Sequence, residues 1–150
     1  MEGRRVLDVG CGTGWLLDQH PKMEPEQYVG IEPSEGMLRR LISKHPTFWN
    51  RLLVAKFEDY YPLEKFDTVL MLHGVGAYQT EEDLQKLPMM LEPGGEFVVM
   101  TFNEHRLKKQ IMRERFKFTE VLHDTRNYLA ANSHEYHDIS YHKLYKGRMQ

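Results

Sequence analysis

Apolar residues along this chain come in short runs, each broken by glycine, proline or charge, and the runs follow two different periods. Val6-Leu7-Asp8-Val9 stops abruptly at Gly10, Gly12 and Gly14, and Trp15-Leu16-Leu17 resumes at once. This predicts a buried strand from Arg5 to Val9, a tight turn, and a short helix from Trp15 to His20 closed by Pro21. Tyr28-Val29-Gly30-Ile31 predicts a second strand ending at Glu32. Ser34 then caps a helix whose Met37, Leu38, Leu41 and Ile42 recur at helical spacing until Pro46. Leu52 to Ala55 and Phe66 to Leu72 predict strands three and four, with only a loop between them.

Thr80-Glu81-Glu82-Asp83 reads as a helix start, a capping threonine followed by acids in the positive first turn. Leu84, Leu87, Met90 and Leu91 supply its inner face, and Glu92-Pro93-Gly94-Gly95 ends it and turns into a fifth strand, Glu96 to Phe102. A basic helix from Glu104 to Arg115 follows, then two strands near Lys117–His123 and Ile139–Lys146. Strands alternating with helices or loops predict an α/β class with a parallel sheet, and the helix-poor end predicts a closing antiparallel hairpin.

With 150 residues, the chain is expected to form a single domain over residues 1–150, with enough length for a core. No apolar run approaches the roughly 20 residues of a membrane span. The glycine turn follows the first residues so closely that no leader peptide is expected, and Cys11 is the only cysteine. A cytoplasmic location fits both. The net charge of −2 conceals an asymmetry: residues 1–100 carry 10 Lys/Arg against 16 Asp/Glu, residues 101–150 carry 10 against 6. Arg106, Lys108, Lys109, Arg113, Arg115 and Lys117 make up most of the basic excess. They suit either a solvated helix face or a landing strip for an anionic substrate or nucleic acid.

Candidate chemistry gathers at the carboxyl ends of the predicted strands, where open α/β sheets bind ligands. The turn from Gly10 to Gly14 offers bare backbone and outward amides at a helix start. Glu32 lies about 20 residues on, where an acid can accept hydrogen bonds from both hydroxyls of a ribose. Glu58 and Asp59 follow strand three, where a carboxylate can accept from an exocyclic amine such as adenine N6. Together they describe an adenosine-containing ligand. A dinucleotide fingerprint would place its third glycine where Trp15 stands, and that bulk is expected to impede close helix–strand packing. His134-Glu135-Tyr136-His137 lacks the spacing of a zinc-protease helix, so no metal site is expected.

Four phrases in order carry a resemblance. Val6 to Gly14, and Val29-Gly30-Ile31-Glu32-Pro33-Ser34-Glu35-Gly36-Met37-Leu38, resemble the first two motifs of class I S-adenosylmethionine-dependent methyltransferases. Phe66-Asp67-Thr68-Val69 and Leu91-Glu92-Pro93-Gly94-Gly95-Glu96-Phe97 are similar to that family's strand-four and strand-five signatures. The likeness covers about residues 5–102. It implies a doubly wound, Rossmann-like three-layer α/β sandwich around a mostly parallel sheet of order 3-2-1-4-5-7-6, with strand 7 antiparallel. It also implies S-adenosyl-L-methionine as cofactor, with S-adenosyl-L-homocysteine as product.

The resemblance implies roles for particular residues. The turn of Gly10, Cys11, Gly12 and Gly14 would hold the methionine part, with Cys11 a small filler and Asp8 orienting the amino group. Glu32 would grip the ribose, with Pro33 and Met37 alongside the adenine. Asp59 or Glu58 would meet the adenine amine, and Phe57 would flank the ring. His73 and Tyr78, in the loop after strand four, would border the reacting methyl and are the candidate bases. Family members commonly carry helices ahead of strand one, and this chain starts about four residues before that strand. The expectation is either an open site completed by a second copy or a partner subunit, or a shortened form of the family's chain. The acceptor expected first is a small molecule, with no membrane and with nucleic acid disfavoured. A non-catalytic cofactor-binding subunit and an RNA or protein methyltransferase using the segment 106–117 are the alternatives. Leu72-His73-Gly74-Val75 lacks the Asn/Asp-Pro-Pro-Tyr/Phe phrase of amino-directed DNA methyltransferases.

Overall fold

The computed structural model describes residues 3–72, 85–102, 116–122 and 142–149. Its strands are β1 (Val6–Val9), β2 (Tyr28–Glu32), β3 (Leu52–Val54), β4 (Phe66–Met71), β5 (Leu91–Phe102), β6 (Phe116–Leu122) and β7 (His142–Met149). Its α-helices are α1 (Trp15–Gln19), α2 (Glu35–Lys44) and α3 (Leu87–Met90), with single 3-10 turns at Pro25–Gln27, Pro46–Arg51 and Phe57–Asp59. The seven strands form one sheet of order β3-β2-β1-β4-β5-β7-β6. β1 runs parallel to β2 and β4, β2 to β3 and β4 to β5, while β7 is antiparallel to both β5 and β6.

Every residue of β1 is buried, as a strand covered on both faces must be. Alternate residues feed two cores. Leu7, Val9, Val29, Ile31, Val69 and Met71 pack on one face with Phe57, Leu87 and Met90. Val6, Tyr28 and Leu70 pack on the other with Leu16 and Leu17 of α1 and Leu38 and Leu41 of α2. The result is the expected layered sandwich. Ser34 caps α2, its Oγ accepting the Met37 amide at 3.4 Å. Asp18 of α1 fastens the two helices together by accepting from Lys44 Nζ at 2.6 Å and pairing with His45 Nε2 at 2.7 Å.

Two strands differ from the sequence reading by more than one residue. β5 begins at Leu91, because Leu91 already pairs with Phe66, and the Glu92–Gly95 turn sits inside the strand as an irregularity before Glu96 meets Thr68. β7 lies about one turn's worth of residues later than expected, pairing Lys146 with Val98 and Arg148 with Glu96. Charge explains that register. Glu96 is buried and accepts from Arg4 at 2.6 Å, Lys146 at 2.9 Å and Arg148 at 3.1 Å, and these cations hold its carboxyl down at about 2. The basic helix expected over 104–115 lies outside the described residues, as does the start expected at Thr80.

Candidate functional site

The site is built at the carboxyl ends of β1 and β2. The chain leaves β1 through Gly10 and Cys11, whose amides both donate to Ile31 O, at 2.8 and 3.1 Å, binding the turn to the end of β2. Gly12 and Gly14 then take φ of +55° and +89°, a region that disfavours any residue with a Cβ. Among the described residues the space around Gly12 is open: a Cβ there would meet Gly10 O and Met37 Sδ, each at 3.9 Å. Gly14 is the opposite case. A Cβ there would come within 2.8 Å of Leu41 Cγ, so Gly14 is the residue that lets α1 close on α2.

Trp15, where a dinucleotide fingerprint would place its third glycine, is 47% exposed, and the close approach at this turn is the helix–helix contact of Gly14 with Leu41 of α2.

Glu32 ends β2 almost wholly buried, at 7% exposure. One carboxylate oxygen accepts the Gly12 amide at 3.2 Å, and the other accepts the Ser34 amide at 2.9 Å. The carboxylate therefore joins the glycine turn to the turn that starts α2. Each oxygen of a carboxylate has two lone-pair directions, so this leaves acceptor capacity for further donors. Pro33 and Met37 lie exposed beside it.

Asp8 is buried on the same sheet face, where it accepts a hydrogen bond from the Tyr28 hydroxyl at 2.9 Å. Burial pushes its carboxyl up to about 6; the Tyr28 hydrogen bond opposes this and the nearby charge of Glu32 adds to it. Burial, together with Asp8 and Glu32, also pushes the Cys11 thiol far up, which disfavours its thiolate form.

The turn after β3 carries Phe57, Glu58 and Asp59. Phe57 is buried with Val29 and Ile31 in the first of the two cores. Glu58 and Asp59 are exposed on the same turn. Lys86, missed in the sequence, holds this turn: its buried ammonium donates to Phe57 O at 3.2 Å and to Glu58 O, and sits 4.2 Å from the centre of the Tyr61 ring. No spacing marks that lysine among its apolar neighbours. Tyr28 was also missed, although its alternation with Gly30 and Glu32 placed all three on one face.

His73 and Tyr78 lie outside the described residues, as does His134–His137. The structure thus brings together Asp8, Gly10, Cys11, Gly12, Gly14, Glu32, Pro33 and Met37, with Glu58 and Asp59 on the neighbouring strand's turn. A separate groove of about 500 Å³, lined by His20, Lys22, Met23, Glu24 and Gln27, belongs to the α1–β2 connection rather than to this edge. No described helix is long and apolar enough to cross a membrane.

Comparison with known proteins identifies the pattern. A family model described as a methyltransferase domain matches residues 6–95. The tRNA U34 carboxymethyltransferase of Idiomarina loihiensis is 35% identical over 109 residues, covering 67% of this chain and 33% of that protein. Its counterpart in Pseudomonas fluorescens is 30% identical over 130 residues, covering 81% of this chain and 40% of that protein. The chain therefore spans about a third of the length of the curated relatives it matches. Among solved structures, an S-adenosylmethionine-dependent methyltransferase from Mesorhizobium loti superposes with a TM-score of 0.73 at 18% identity, over 97% of this chain and 91% of that one. These relatives overturn one expectation. A small-molecule acceptor, with nucleic acid disfavoured, does not fit sequence relatives that are named for a reaction on tRNA. The cofactor-edge motifs are common to enzymes with many different acceptors, and no motif in the sequence marks the acceptor.

Proposed function

The chain belongs to the methyltransferase-domain family, and from that premise we propose that it is an S-adenosylmethionine-dependent transferase whose acceptor is RNA, a tRNA first among candidates. The observation that carries the RNA reading is the shared name of its sequence relatives, tRNA U34 carboxymethyltransferase, at 30–35% identity. A basic balance supports it: residues 101–150 carry 10 Lys/Arg against 6 Asp/Glu, and cations facing phosphates dominate affinity for nucleic acid.

The residues at the strand ends suit the cofactor. Open backbone at Gly12 gives an amino-acid moiety room against the main chain, and Glu32 retains lone pairs for a ribose diol. In this reading Asp8 meets the ammonium, the Gly10–Gly14 turn cradles the methionine part, and Pro33 and Met37 lie along the adenine. Asp59 or Glu58 accepts from the adenine amine, with Phe57 and Lys86 fixing that turn from below. When bound, S-adenosylmethionine supplies an electrophilic carbon on a sulfonium. This chain's contribution is positioning, and holding two reactants in line can remove roughly 7–11 kcal/mol of barrier. His73 and Tyr78 remain the proposed groups to take a proton from the acceptor where one must leave.

The relatives' name also favours a second reading, in which the group transferred is carboxymethyl. Both are tested by incubating the protein with bulk tRNA and either S-adenosylmethionine or its carboxylated analogue, then analysing digested nucleosides by mass spectrometry. A modified nucleoside that depends on the protein and on one donor supports the RNA reading and names the group. Unmodified tRNA with both donors, from protein that binds S-adenosylhomocysteine, contradicts it.

A further inference from the structure

Tyr28 begins β2, yet its hydroxyl ends up beside the carboxylate near the end of β1. The route is visible in the register. Asp8 pairs with Gly30, and Tyr28, Gly30 and Glu32 alternate onto one face. The Tyr28 ring is fully buried, packed edge-on to Phe48 at 5.6 Å, and the side chain runs along the strand over Gly30. A Cβ on Gly30 would stand 2.9 Å from the Tyr28 hydroxyl, 2.9 Å from Cys11 Sγ and 2.8 Å from Leu52 Cδ2. Gly30 therefore clears the path by which the hydroxyl reaches Asp8 at 2.9 Å.

We propose that Tyr28 is a positioning residue for the cofactor site: by donating to Asp8 it fixes that carboxyl's rotamer and keeps it an ionised acceptor for the ligand's ammonium. The proposal rests on the reading that Asp8 meets the cofactor. A ring that merely filled the core would need no hydroxyl, and a buried phenol is costly without a partner. Asp8 has reason to lose its charge, because it is buried and Glu32 lies on the same face. Among the described residues the groups facing it are Tyr28 and Glu32 of β2 and Cys11 of the turn, and of these only Tyr28 favours the ionised form. Its own ionisation is suppressed by burial and then by Asp8, so it stays a donor throughout.

The test is the affinity for S-adenosylhomocysteine measured by titration calorimetry from pH 5 to 8, together with the Asp8 carboxyl carbon followed by NMR in the ligand-free protein. The wild type should bind more tightly as pH rises through the Asp8 transition. Tyr28→Phe should move both transitions upward by about one pH unit and weaken binding about threefold midway between the two transitions and about tenfold near pH 5. Tyr28 replaced by 3-fluorotyrosine, a stronger donor of the same shape, should move both downward, which keeps the idea testable if Tyr28→Phe folds poorly. Coincident transitions in wild type and both variants overturn the role of Tyr28. No binding by the wild type at any pH overturns instead the cofactor reading on which it rests, and the NMR transitions then still report whether Tyr28 governs Asp8.

Discussion

Glu32 accepts the amide of Gly12, twenty residues earlier, at 3.2 Å, and accepts the amide of Ser34 at 2.9 Å with its other oxygen. One carboxylate thus shapes both turns that border the candidate site, before any ligand contact is considered. Glu32→Ala is expected to weaken S-adenosylhomocysteine binding by about 1.5–3 kcal/mol, the scale of hydrogen bonds to a charged group. It should also lower the melting temperature, because two backbone amides lose their acceptor. Calorimetric titration showing wild-type affinity would remove Glu32 from the site.

Gly14 carries both a left-handed backbone and a close approach to Leu41. Gly14→Ala should destabilise the fold by about 2–3 kcal/mol through strain and overlap. Adding Leu41→Ala should make the combined loss smaller than the sum of the two, since the overlap disappears while the strain remains. Thermal or urea unfolding of the four proteins measures this, and strictly additive losses would refute the contact.

Asp8 makes the fold sensitive to pH in a direction unlike most carboxylates. Its folded value of about 6 stands above the ordinary 3.8, so the folded state binds its proton more tightly. The stability this contributes is present below about pH 4 and is lost as pH rises through 6. Asp8→Asn should therefore stabilise the protein by about 1–2 kcal/mol at pH 7.5 and give no such gain at pH 4. The same substitution should weaken binding of the cofactor's ammonium, a functional carboxylate kept at a cost to stability. Urea midpoints at the two pH values decide it; an Asn variant less stable at both would contradict the assignment.

Reversing the charge of Lys108 and Lys109 to glutamate should reduce modification of RNA by about tenfold or more and spare S-adenosylhomocysteine affinity. The loss should shrink as salt rises, because screening already removes that term in the wild type. Equal activity of variant and wild type would leave a solvated face as the only reading of that segment.

The glycine turn, the strand ending at Glu32 and the Ser34 cap were legible because each rests on local chemistry or on a short hydrophobic period, while the strand order came from the resemblance to the family. What escaped was set by contacts across the sheet. The burial of Phe57 with Val29 and Ile31 is one such contact. Lys86 bonds to carbonyls nearly thirty residues away, for which sequence offers no spacing rule. The register of β7 follows from Glu96 needing Lys146 and Arg148, a pairing that alternation of apolar residues near Ile139 could not foretell. Tyr28 was the exception, since its face was readable and only its reach over Gly30 was not.

The most direct trial of the cofactor site is a crystal structure of the protein with S-adenosylhomocysteine. The account predicts both ribose hydroxyls within about 3 Å of the Glu32 carboxylate and the amino-acid end lying against Gly10–Gly14 beside Asp8. A ligand seated elsewhere, or a ribose turned away from Glu32, would contradict it.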